Sequence, residues 1–158
     1  MQPSLSNALT LAALLVGCGG ASPSGEPPAT PEPATPERVA VALRFEDAGT
    51  DPTTDVPHTR VVLAVIRESD GRTETHEVRV VNGPCSFTAP TGGALTAGSC
   101  WWAGSGDNFE VVREGDEVLV RLAEVAEELD APLPSVTALR VPLPASAQLQ
   151  VVAPDTAQ

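Results

Sequence analysis

His58 and His76 are the chain's two imidazoles, and either one beside an Asp is a formal base for Ser86 or Ser105. The nearest approach to a nucleophile motif is Gly104-Ser105-Gly106. It lacks the Gly-x-Ser-x-Gly spacing, and the strand–turn–helix context that presents such a serine is not expected around it. No nucleophilic triad is therefore expected. His76 falls on the inward phase of its strand and is expected to be a buried, hydrogen-bonded histidine. With two His in all, a three-His zinc site is excluded, and no His-Glu-x-x-His pattern occurs. All nine basic residues are Arg. The absence of Lys removes P-loop phosphate binding, Schiff-base chemistry and Ser-Lys catalysis. Asp47, Asp51 and Asp55 share a polar loop with Glu46 and Gly49. Such an oxygen-rich loop is a weak candidate for calcium, but the spacing is not that of an EF-hand, and a solvated loop is the favoured reading. Glu124, Glu127, Glu128 and Asp130 form a second acidic group, read as the wet face of a helix or turn. Trp101 and Trp102 are adjacent, so on a strand they point to opposite faces. Packing is the favoured reading for both. An outward Trp is nevertheless the best candidate contact for a protein partner or a sugar ring.

The elements that position these residues begin after an apolar stretch, about Ala8 to Val16, that is too short to span a bilayer as a helix. It ends in Leu15-Val16-Gly17-Cys18. An apolar segment of this length closed by small residues is an export signal, and a cysteine at the cut site resembles the lipobox of bacterial lipoproteins. The resemblance covers residues 1–20 only. It implies a signal peptide over 1–17, a diacylglyceryl group on the Cys18 sulfur, cleavage before Cys18 and acylation of the new N-terminus. Several acyl chains give stable anchoring. Gly19, rather than Asp, follows the cysteine, and in the enteric-type family rule this implies the outer membrane of a Gram-negative cell. If Cys18 carries lipid, Cys85 and Cys100 remain as a pair in an oxidising compartment and are expected to form a disulfide.

Residues 18–37 are the lipidated cysteine and a tether. Six prolines between Gly19 and Glu37, and no large apolar residue, fit an extended, semi-rigid spacer. Residues 38–153 are read as one β domain, and 154–158 as a short tail. The net charge of −12 lies wholly after Cys18. It argues against phosphate-backbone binding, so no nucleic-acid partner is expected, and against docking on anionic lipid by surface charge.

Arg38–Phe45 alternates, with Val39, Val41, Leu43 and Phe45 on one face. Arg60–Arg67 is apolar on both faces and reads as a central strand. Ser69-Asp70-Gly71-Arg72 is a hairpin turn leading to a strand that places Val78 and Val80 inward and Glu77 and Arg79 outward. Asn108–Arg113 and Asp116–Leu122 flank Glu114-Gly115 as a second hairpin. Leu122, Val125, Ala126 and Leu129 have helical spacing, which predicts one short helix near 122–129. Thr137–Leu143 and Gln148–Val152 read as a last hairpin, with Pro142 at an edge. The expected fold is an all-β antiparallel sandwich or small barrel of about seven or eight strands. The expected function is that of a lipid-anchored envelope protein whose domain is a non-enzymatic binding or structural module. The alternatives are a small exported carboxylate-dependent hydrolase and a protein inhibitor module.

Overall fold

A computed structural model describes residues 35–144 and 146–152. The signal peptide, Cys18, most of the tether and the tail at 154–158 lie outside the described residues. The described residues form a β-sandwich of nine strands: β1 (Arg38–Thr50), β2 (Pro57–Arg67), β3 (Thr73–Asn82), β4 (Cys85–Thr88), β5 (Thr96–Trp102), β6 (Ser105–Glu114), β7 (Glu117–Ala126), β8 (Val136–Pro142) and β9 (Gln148–Val151). One sheet has the order β3-β2-β1-β9 and the other β4-β5-β6-β7-β8.

Hydrophobic alternation builds the core. Val41 and Leu43 of β1 stand in register with Val65 and Leu63 of β2, and together with Val39 they pack in one core with Phe109, Val111, Val118, Val120 and Leu122 of the second sheet. Residues two apart share a face, so each inward set is a single strand phase. β2 lies inside its sheet between β1 and β3, and Val61 through Val65 are all buried, as its continuous apolar run predicts.

Three expectations are corrected. The region near 122–129 holds no helix. Strand β7 runs through Ala126, and a turn in which Leu129 N–H donates to the Ala126 carbonyl (3.1 Å) follows it. Ten paired residues on β6 outweigh a helical spacing that only the short segment 122–129 supports. The last two strands are not a hairpin. β8 is the edge of the second sheet, with Pro142 on that edge as expected, while β9 crosses over and pairs parallel with β1. In β3 the alternation slips. Val61 pairs with Arg79 and Val62 with Glu77, which leaves Val78 without an opposite number. This bulge reverses the phase beyond it. Val78 still packs against the core as expected, but Arg79 and Val81 take the core-facing side, and Val80 is exposed.

The domain has two poles. β1 enters at Arg38, paired with Gln148 and near the Asp70-Gly71 turn. At the opposite pole lie the β1–β2 loop, the Gly83-Pro84 crossing between sheets and the β5–β6 turn. That crossing is tied down by Gly83 N–H donating to the Pro57 carbonyl (2.7 Å), the Thr59 hydroxyl donating to the Gly83 carbonyl (2.7 Å), and Trp101 N–H donating to the Pro84 carbonyl (3.3 Å).

Candidate functional site

The distal pole is built from strand ends. Along β5 the core-facing phase is Thr96, Gly98, Cys100, Trp102, each opposite a core-facing β6 residue: Val111, Phe109, Asp107 and Ser105. Along β7 the same face carries Val118, Val120, Leu122 and then Glu124, which pairs directly with Asp107. The phase that builds the core thus delivers a carboxylate pair and a Trp to the mouth of the sandwich. Cys100 is buried beneath them and is disulfide-bonded to Cys85, its direct partner on β4.

Arg79 reaches this mouth from the other sheet, placed there by the bulge at Val78. Its Nη1 lies 3.4 Å from Asp107 Oδ1 and 3.6 Å from Glu124 Oε1. Asp107 is largely shielded from water, whereas Arg79 and Glu124 are about half exposed. Burial raises the Asp107 pKa above its ordinary value of 3.8; the Arg79 charge opposes this, and Glu124 adds to it.

Two clefts open here. The first, about 560 Å³, is bounded by Arg79, Asp107 and Glu124 on its polar side and by Val80, Trp102, Leu129 and Leu133 on its apolar side. The second, about 510 Å³, lies among Phe45, Asp47, Pro57, His58 and Pro84. Trp102 stands in the wall of both.

The tryptophans divide as strand geometry requires. Trp101 lies on the outer face opposite Gly106, and its ring covers that glycine. Trp102 is on the core-facing phase but beyond the core, 37% exposed, against 41% for Trp101. The β5–β6 turn that carries Trp102 has positive φ at both Ala103 (48°) and Gly104 (86°), the combination of a type I′ hairpin.

The remaining candidates do not converge. Asp47 lies on β1 and accepts from Gly49 N–H (2.8 Å). Asp51 accepts from Thr53 N–H (2.7 Å) and Thr54 N–H (3.0 Å), and these amides hold its carboxyl below the ordinary value. These carboxylates cap turns; among the described residues no three His, Cys, Asp or Glu side chains gather closely enough to hold a metal. His76 lies opposite Leu63 on the inward face, as its phase implies, but its Nε2 is buried with no hydrogen-bond partner, the Glu74 carboxylate being 3.9 Å away. His58 lines the second cleft, and Ser105 Oγ donates to the Trp102 carbonyl (3.5 Å). No hydrogen bond among the described residues joins either histidine to Ser86 or Ser105. Glu124 belongs to the mouth, and Glu127 sits at its rim beside Gly104.

Sequence reasoning passed over Arg79 and Asp107. The signal for Asp107 was present, since it shares an alternating phase with Phe109 and Val111. Nothing marked Arg79, because its direction is set by the bulge.

Comparison with known proteins returns no match: no family model, no curated protein and no solved structure is significantly similar to this chain.

Proposed function

We propose that this chain is a lipid-anchored envelope lipoprotein of the outer membrane, and that its extracytoplasmic β domain is a non-enzymatic binding module whose contact surface is the distal pole. The anchor rests on Leu15-Val16-Gly17-Cys18 and the Pro-rich spacer after it. The observation that carries the binding reading is Trp102. A large aromatic ring held part-exposed between two clefts, at the pole opposite the entry of β1, supports contact with an envelope protein or glycan.

Cys18→Ser tests the anchor. Wild type in the membrane pellet with a lipid mass, and a variant that is soluble or unprocessed, is the expected result. A soluble wild type without added mass overturns the localisation. Trp102→Ala tests the surface. Retention on membrane-envelope extract or on purified cell-wall glycan should be lost in Trp102→Ala and kept in Arg140→Ala, a substitution on the distant β8 edge.

A second reading has one observation in its favour. Asp107 keeps its proton to higher pH than an ordinary carboxyl and stands directly opposite Glu124, the pairing of an acid with a carboxylate that glycoside hydrolysis uses. Against it, the Arg79 guanidinium touches both groups. Turnover on a hydrolase substrate panel that disappears in both Asp107→Asn and Glu124→Gln would establish this reading.

A further inference from the structure

We infer that the first cleft receives a cationic side chain, an Arg or Lys with its aliphatic stem, from a protein partner; this rests on the binding reading above and specifies its ligand.

Arg79 shows which chemistry the floor of the cleft accepts. One guanidinium nitrogen contacts both Asp107 Oδ1 and Glu124 Oε1. No hydrogen bond among the described residues reaches Asp107 Oδ2 or Glu124 Oε2, so each carboxylate keeps capacity for another donor. Both contacts exceed the usual length of a charge-assisted hydrogen bond, so Arg79 fills the site loosely. Carboxylates outnumber cations around the cleft, Asp107 and Glu124 against Arg79, and Glu127 lies near its rim.

The walls fit the rest of such a side chain. Val80, Trp102, Leu129 and Leu133 are all part-exposed and flank the carboxylates. A hydrated inorganic cation gains nothing from these walls. A guanidinium or ammonium on three or four methylenes lays its stem along them, and its head meets the acid pair or the face of Trp102. Low dielectric around Asp107 strengthens that pairing. The net charge of −12 adds a long-range attraction for basic partners.

The test uses the full chain carrying Trp101→Phe, so that Trp102 is the sole fluorophore. The probe is the blocked tripeptide acetyl-Leu-Arg-Leu-amide, with its Glu-centred counterpart as control and agmatine as a free guanidine. A saturable change in Trp102 emission with the Arg peptide, weakened by salt and absent with the Glu peptide, is expected. Glu124→Gln should weaken binding at least severalfold, and Asp107→Asn more. Thermal melts confirm that each variant is folded, and Glu124, being half exposed, supplies a variant whose folding does not depend on it. Arg79→Gln should tighten binding severalfold by vacating the acid pair. Equal response to the Arg and Glu peptides, or unchanged affinity in Glu124→Gln, overturns the inference. Agmatine binding as tightly as the peptide overturns the commitment to a protein partner in favour of a small amine. If the Arg peptide gives no saturable change while envelope retention still depends on Trp102, the cation assignment is wrong and the binding reading stands. If that dependence also fails, the binding reading is the one that falls.

Discussion

Asp107 and Asp51 respond to pH with opposite sign. Burial raises the folded pKa of Asp107 above 3.8. The folded state therefore binds the proton more tightly than the unfolded chain, and the stability from this group is complete below 3.8 and lost as pH rises through the folded pKa. Asp51 is held below 3.8 by the Thr53 and Thr54 amides, so its contribution is present above 3.8 and lost as pH falls through its folded pKa. Urea midpoints measured from acid to neutral pH should show a component that declines with rising pH above 3.8, absent in Asp107→Asn, and a loss on acidification below 3.8, absent in Asp51→Asn. Gly106 is constrained differently. A Cβ there would collide with the Cys100 carbonyl oxygen and press on the Trp101 ring. Backbone cannot yield as a flexible side chain can, so Gly106→Ala should cost about 1–3 kcal/mol by equilibrium denaturation. Asp107 was legible in the sequence to the extent that strand phase was, since it continues an inward set of apolar residues, whereas Glu124 read as the wet face of a helix or turn because β7 runs on through a spacing that also suits a helix. The chemical meaning of the pair was not legible, because it needs Arg79, whose direction depends on one extra residue in β3.

At the scale of elements, local alternation predicted the strands well where a buried partner enforced it. β1, β2 and the β6–β7 hairpin stand at or close to the positions that their patterns imply. The failures occur where alternation thins out. The segment after Leu122 mixes apolar and acidic residues in a spacing that suits a helix as well as a strand, and only pairing with β6 decides the matter. The disulfide was expected from cysteine arithmetic, and the structure joins Cys85 to Cys100 on neighbouring strands. It holds β4, a four-residue edge strand, against β5 across a separation of 15 residues. Cys85→Ser with Cys100→Ser should lower stability by about 3 kcal/mol in the chain-entropy account. Amide exchange should rise first at Cys85–Thr88 and in the loop at 89–95, and leave β6 and β7 protected.

For the whole molecule, the class of fold was readable and the connection between sheets was not. Two short strands separated by a turn imply a hairpin unless one of them completes another sheet, and no residue in 143–148 announces which. β9 seals the open edge of β1. Arg38 through Val41 pair with Gln148 through Val151, the Glu37 carbonyl accepts from Gln148 N–H (2.8 Å), and the Val41 carbonyl accepts from Val152 N–H (2.9 Å). A chain ending at Leu143 would expose that edge and uncover the side of the core where Leu149 packs. It should melt at a lower temperature and self-associate in size-exclusion chromatography with light scattering, whereas the full chain should not.

The same arrangement decides how the domain bears a pull. On the proposed reading, a partner held at the far pole and a tether pulling through Arg38 would load β1 lengthwise. β1 is flanked on one side by the long antiparallel ladder of β2 and on the other by parallel β9. Tension along β1 therefore loads many hydrogen bonds together in shear and does not peel them one at a time. Stretched between Arg38 and Trp102 on a force probe, the domain should yield in a single high-force event. Gripped at Arg38 and the end of β9, it should part at lower force, because the short β9 ladder alone then carries the load.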